Sequence, residues 1–184
     1  MLDLKGIIHD NSIRVVASRE AREQASDAQR DIYDSHRHRV FSLAFYMTGN
    51  ELEAESILTD TFVSAFRTMA EPHSEHVDAA LIGELRQRFP LGIEEPGEMR
   101  TAGEGDDRLA GRNVRRTDLE EAVQRLPPTE RLLFLLRDVE GYSPSAISQL
   151  LNMQESRVQR TLLSGRIRLR QALAVAQADR REAA

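Results

Sequence analysis

The stretch Ser143 to Leu163, SPSAISQLLNMQESRVQRTLL, decides the fold. Ser143 puts a hydroxyl N-cap ahead of Pro144 at the first helical position. Ile147, Leu150 and Leu151 give a short helix its buried side, and Asn152-Met153 makes a turn. The next helix carries Val158, Leu162, Leu163, Ile167, Leu169 and Leu173 inward, with arginines interleaved on its other side. A short helix, a tight turn and an Arg-rich second helix form the outline of a helix-turn-helix. In that motif the first helix braces the second, which presents its N-terminal residues to base edges in the major groove. The residues so presented are Gln154, Glu155, Arg157, Gln159, Arg160 and Thr161. Arg bonds guanine bidentately and Gln does the same with adenine. Ser143 completes the DNA-facing set at the cap, and Arg166 lies further along, where phosphate is the expected contact. The plainer alternative is a helical hairpin with a solvated arginine face.

Upstream, Leu119, Val123 and Leu126 mark a helix stopped by Pro127-Pro128, and Leu132, Leu133, Leu135 and Leu136 mark another that ends before Gly141. An earlier helical unit covers residues 29–89. Val40, Leu43, Ala44 and Met47 recur at i, i+3, i+4 and i+7, one face of a helix that Gly49-Asn50 ends. A second helix from about Leu52 to Met69 has Ile57, Leu58, Phe62, Ala65, Phe66 and Met69 on one side and acids in its first turn. A third runs through Val77, Leu81, Leu85 and Phe89 to Pro90. The fold class is therefore all-α, with two small helical domains, 29–89 and 118–176, the second a helix-turn-helix. Residues 90–117 gather Pro, Gly and acids and read as a flexible linker. Residues 177–184 form a tail. The extension 1–28 carries no assigned role: Ile7-Ile8 and Ile13 to Val16 read as short strands or loop, and Ser18 to Arg30 as a polar helix.

The 184 residues carry 25 Lys+Arg against 30 Asp+Glu, a net charge of -5 that argues at first sight against nucleic acid. The charge is unevenly spread. Residues 1–140 hold 18 basic and 27 acidic residues, a balance of -9, and residues 141–184 hold 7 and 3, a balance of +4. Only the last part invites phosphate. No cysteine is present, which excludes disulfides, thiolate zinc sites and a cysteine nucleophile. No apolar run reaches the roughly 18 residues that a membrane span needs, and the first residues lack the form of a secretory signal. The expectation is a soluble, cytoplasmic protein with no membrane contact.

Other motifs point to no chemistry. His36-x-His38 and His73-x-x-His76 lack a third ligand and read as surface histidines, so no metal is expected. Glu53, Glu55 and Asp60 have no neighbouring base and read as a solvated or docking face. Gly103-x-Gly105 lacks the third glycine and the strand of a nucleotide loop.

The run from Leu119 to Arg131, with its Leu-Pro-Pro-x-x-Arg turn, then Leu135 to Ser143 with its acid-Gly-Tyr-Ser lead-in, then Ile147 to Leu173, resembles region four of an extracytoplasmic-function (ECF) sigma factor. Tyr33, His36, Val40, Leu43, Ala44, Gly49-Asn50 and the run Ala54 to Phe62 resemble region two of the same family. The resemblance implies a sigma factor for transcription initiation and its regulation, without catalysis or cofactor of its own and with no small-molecule substrate. Its second helix, through Glu55, Ile57, Leu58, Thr59, Asp60 and Phe62, would dock on the clamp of core RNA polymerase. Region four would bind the upstream promoter element and the polymerase flap, and an anti-sigma factor would be a further partner. Against the family pattern, Ser56 stands where Asp is usual and Thr59 where Gln is usual, and Ala80 stands where Trp is usual in the promoter-opening part. Of that part only Arg86 and Arg88 remain to meet phosphate. The alternatives are a sigma-like interaction module that holds polymerase or an anti-sigma protein without opening promoters, and a simple helix-turn-helix regulator.

Overall fold

The computed structural model describes residues 4–67, 73–92 and 114–182, and the described residues form helices and turns without a strand. The helices are α1 (Leu4–Thr48), α2 (Glu51–Arg67), α3 (Ser74–Arg88), α4 (Arg116–Gln124), α5 (Pro128–Phe134), α6 (Pro144–Leu151) and α7 (Glu155–Glu182). Residues 93–113 of the expected linker, and the end of the tail, lie outside the described residues.

In the first unit the C-terminal part of α1 packs with α2 and α3. Val40, Leu43, Ala44 and Met47 are all buried, as their spacing predicts, against Ala54, Ile57 and Phe62 of α2 and Val77, Leu81 and Leu85 of α3. The α1–α2 corner is set by Gly49 at φ +70°, a conformation that costs glycine little. Asn50 Oδ1 accepts from Glu53 N at 3.2 Å and starts α2, where Glu51 and Glu53 meet the positive end of the helix dipole. The expectation of strand or loop near the N-terminus is overturned, because Ile7-Ile8 and Ile13 to Val16 lie within α1. No proline interrupts the chain between Leu4 and Arg39, and the described residues offer no partner strand, so the backbone runs on as helix.

The second unit is α4 to α7. Pro128 occupies the first position of α5, and α5 runs on into a π-helical turn over Leu135–Val139 before Gly141 at φ +80°. Leu132, Leu133, Leu136, Ile147 and Val158 fill the centre. Glu130 is buried beside α7, where Ser164 Oγ donates to it at 2.8 Å and Arg168 Nε lies 3.3 Å away. A Cβ at Gly165 would come within 3.3 Å of Glu130 Cβ, so the missing side chain lets α7 approach α5 closely. Two leucines depart from the sequence reading. Leu163 is 48% exposed and Leu119 39%, because 100° per residue carries each past the edge of the apolar face of its helix.

The two units are packed together. Helix α1 touches α4 and α5, and α3 touches α6. Arg131 is the centre of the first contact. Its Nη1 donates to Met47 O at 2.6 Å and to Gln124 Oε1 at 3.0 Å, and its Nη2 donates to Leu126 O at 3.0 Å and to Gln124 O. Gln124 Nε2 donates to Tyr46 O at 2.8 Å. Carbonyls at the end of α1, which have no partner within their own helix, are thereby satisfied from the other unit. Burial lowers the Arg131 pKa below its ordinary value. Gly49 takes part as well, since a Cβ there would meet Gln124 Oε1 at 3.1 Å.

Replacing Arg131 by Ala should cost about 2–4 kcal/mol of unfolding free energy, because it strands part-buried carbonyls in both units. Urea unfolding followed by circular dichroism measures this, and a loss under about 0.5 kcal/mol, the size of an ordinary surface substitution, would contradict the assignment.

Candidate nucleic-acid interface

The helix-turn-helix is built locally as its residues dictate. Ser143 Oγ accepts from Ala146 N at 3.1 Å and caps α6. Asn152 takes the left-handed conformation at φ 50°, which Asn tolerates better than most residues. Ser148 Oγ donates to Met153 O at 2.6 Å and closes the turn. Met153 N donates to Ser148 O at 3.0 Å, and Val158 N to Gln154 O at 3.0 Å begins α7.

The expected DNA-facing residues divide into three groups. Gln154, just ahead of α7, and Gln159 and Arg160 on its leading turns are exposed. Gln159 Nε2 donates to Glu155 Oε1 at 3.3 Å and Arg160 to Ser156 O at 3.4 Å, contacts within the helix that leave both side chains at the surface. Arg157 and Arg166 are already engaged. Arg157 Nη2 donates to Gly92 O at 2.7 Å, and Arg166 grips Asp138 through Nε at 3.0 Å and Nη2 at 2.5 Å, a hydrogen-bonded pair that raises the Arg166 pKa. Thr161 is 4% exposed and faces the core, and Ser143 is spent on its cap, so neither side chain presents a free group to DNA.

The expected polymerase-facing residues divide in the same way. Glu55 and Thr59 are exposed, and Asp60 is partly so, paired with Arg88 Nη2 at 2.9 Å. Ile57 and Phe62 are core residues and Leu58 is half-buried, so these three support the face from behind. Leu52 and Val63 are exposed on α2 and add an apolar component that the sequence reading did not select.

The arginines left for phosphate near α3 are committed elsewhere. Arg88 Nη1 also bonds Glu84 Oε2 at 3.2 Å, and Arg86 Nη2 donates to Leu151 O at 2.6 Å, at the end of α6. Ala80 is half-buried against the core.

A polar cluster joins the units beside α6. Tyr142 Oη donates to Asp78 Oδ2 at 2.5 Å and accepts from Arg39 Nη1 at 2.9 Å, and Arg39 Nη2 pairs with Asp78 Oδ1. Burial, then the hydrogen bond to Asp78 and its charge, push the Tyr142 phenol from 10.0 up to about 12, with Arg39 opposing and Glu140 adding a little. Burial works against the Arg39 charge, but its bond to Asp78 and the nearby negative groups leave it raised. Burial also raises the Glu140 carboxyl. None of these residues was selected for function from sequence. Their separations of 64 and 103 residues leave no periodic signal to find.

Residues 116–169 match the family described as sigma-70, region 4. The matched segment opens with α4 and takes in α5, α6 and the first half of α7. Over 156 residues the chain is 26% identical to the ECF RNA polymerase sigma factor SigE of Mycolicibacterium smegmatis. Both likenesses point to the ECF-type sigma factors, the first over the second helical unit alone. That alignment covers 78% of this chain and 61% of the relative, so the chain spans about three fifths of the length of the protein it matches. The helix-turn-helix falls within the segment that matches sigma-70 region 4, and the described residues include no helix long and apolar enough to cross a membrane.

The Tyr142 phenol gives a pH test. Its folded pKa lies above its unfolded value, so its contribution to stability is complete below about pH 10 and is lost as the pH rises toward about 12. Unfolding free energy followed from pH 8 upward should fall more steeply for the wild type than for Tyr142→Phe. Parallel curves would contradict the Tyr142–Asp78 bond.

Proposed function

We propose that this chain binds core RNA polymerase and directs it to specific promoters to initiate transcription, acting in the cytoplasm. The observation that carries the reading is the coincidence of the region-four match with a helix-turn-helix whose leading turns expose Gln154, Gln159 and Arg160. Those side chains have the donor and acceptor pattern for guanine and adenine edges. Arg157 joins them once its bond to Gly92 is released. Arg166, held by Asp138, sits where a phosphate contact positions the helix without reading sequence.

The polymerase clamp would be met by α2 through Glu55, Thr59 and Asp60, with Leu52 and Val63 as apolar contacts and Ile57, Leu58 and Phe62 holding the helix in place. The flap would be met by the second unit, and an anti-sigma factor would compete for these surfaces. The chain itself performs no catalysis on this reading.

A specific observation supports a second reading, a sigma-like module that holds polymerase without opening DNA. Ala80 offers no aromatic face for a flipped base, a platform worth about 1–3 kcal/mol per base where present. Arg86 and Arg88 are bonded within the protein. Permanganate footprinting of a bound promoter separates the two readings: reactive thymines near the start site favour initiation, and a bound but unreactive duplex favours the module.

The direct test is transcription from genomic fragments by core polymerase plus this chain. Discrete promoter-specific transcripts are expected, and their absence with every template overturns the proposal. Arg160→Ala should cost about 1–3 kcal/mol in discrimination at one base position. An equal loss on all sequences would reassign Arg160 to phosphate. Glu55→Lys combined with Thr59→Lys should weaken binding to core polymerase while leaving the circular dichroism spectrum unchanged, and unaltered affinity would remove α2 from the docking surface.

A further inference from the structure

Arg166 stands on an exposed ridge of α7. Gln159, Leu163, Arg166 and Arg170 follow one another at i, i+4, i+7 and i+11 and are all exposed, so Arg166 shares a face with Gln159, two turns behind it. At 1.5 Å per residue the two lie about 10 Å apart along the helix, close to the width of the major groove. A helix that lays Gln159 against a base edge therefore carries Arg166 toward the phosphates of the groove wall.

The chain holds that guanidinium in place by itself. Asp138 comes from the π-helical turn that continues α5. Its Oδ2 accepts from Arg166 Nε at 3.0 Å and its Oδ1 from Arg166 Nη2 at 2.5 Å, a two-point fork. The fork uses two of the five N–H donors of the guanidinium and leaves three for a ligand. The helix under Arg166 is fixed as well. Glu130, near the start of α5, is buried against α7, where it takes the Ser164 hydroxyl at 2.8 Å and lies 3.3 Å from Arg168 Nε, and Gly165 lets the two helices close up. In a regular α-helix the eight residues from Glu130 to Asp138 would turn the two carboxylates about 80° apart. The π turn spends more residues on each turn and brings Asp138 nearer the face of Glu130, so both meet α7 between Ser164 and Arg168. A long side chain that is loose in water gives up its rotamer freedom when it meets phosphate. Arg166 has given up that freedom already.

We propose that Asp138 is a positioning residue for DNA: it holds Arg166 in the pose that meets one backbone phosphate, although its own charge repels that phosphate. The inference rests on reading α7 as the DNA helix. The two effects of Asp138 have opposite signs, which makes them separable. Removing a carboxylate that only repels would tighten binding, and removing one that positions Arg166 loosens it.

Anisotropy of a labelled mixed-sequence duplex, titrated with the full chain between about 50 and about 200 mM salt, reads affinity and its salt slope together. Arg166→Ala should reduce the slope of log affinity against log salt by about one, the loss of one phosphate contact. Asp138→Asn should reduce it by a similar amount and lower affinity about threefold to tenfold at the lower salt. In the Arg166→Ala background, Asp138→Asn should lower affinity no further. Arg166→Lys keeps the charge but cannot take the fork, so it serves if Asp138→Asn melts early by circular dichroism, and it should bind as weakly as Asp138→Asn. Tighter binding by Asp138→Asn overturns the proposal, and so does an equal loss with and without Arg166 or wild-type affinity in Arg166→Lys. A wild type that binds no duplex at the lower salt, or whose slope Arg166→Ala leaves unchanged, overturns it too. Failure of the sigma reading is seen separately, as the absence of promoter-specific transcripts with core polymerase.

Discussion

The structure turns on one guanidinium. Arg131 sits where the end of α1, the end of α4 and the start of α5 meet, and its donors reach carbonyls of Met47, Gln124 and Leu126 together with the Gln124 side chain. Helices that end against each other leave carbonyls that water no longer reaches, and each must find a donor. A planar fork with five N–H groups supplies several at once, which an ammonium does less well. The burial that makes this useful also presses on the charge, lowering the Arg131 pKa. Arg131 belongs to the Leu-Pro-Pro-x-x-Arg turn of the second unit, so the residue that shapes that turn also caps the last helix turn of α1. Folding of the second unit and its attachment to the first are thereby joined.

From that joint follows the setting of the helix-turn-helix. With α1 held against α4 and α5, α3 lies along α6, and the backbone leaving α3 crosses the front of α7. The arginines that sequence reasoning assigned to phosphate or base, Arg86, Arg88 and Arg157, are each bonded inside the protein. The acidic balance of the first unit has a local meaning too. It is brought beside the basic C-terminal part of the chain, where a counter-charge offsets repulsion among the arginines. Net charge alone does not convey this.

Much of this was legible in the residues. The i, i+3, i+4, i+7 spacing of Val40, Leu43, Ala44 and Met47 is a core face because burial and helical period coincide there. Ser143-Pro144 announced α6 because cap and first-turn chemistry are local. What failed was finer than an element. The apolar pattern points Leu163 inward and leaves Thr161 outside, whereas Thr161 is buried and Leu163 half exposed, since a small polar residue fits an interior that the pattern does not mark. Ile57 and Phe62 sit in the stretch expected to dock, yet their apolar character is used inside. Only the first part of α1 departs from the sequence reading, because the clusters Ile7-Ile8 and Ile13 to Val16 resemble strands while Ser18 to Arg30 reads as helix. The Tyr142–Asp78–Arg39 cluster was invisible because it depends on how the two units pack, which no window of sequence encodes.

The central claim, which rests on the proposed function, is that this chain reads promoter DNA together with core RNA polymerase and not alone. The most direct measurement is the affinity for one promoter duplex, across a range of salt, of the chain alone and of the chain with core RNA polymerase. The account predicts weak, nearly sequence-independent binding with a shallow salt slope for the chain alone. With polymerase it predicts tight, sequence-selective binding that is lost on substituting the upstream element. Equally tight and selective binding by the chain alone would contradict it.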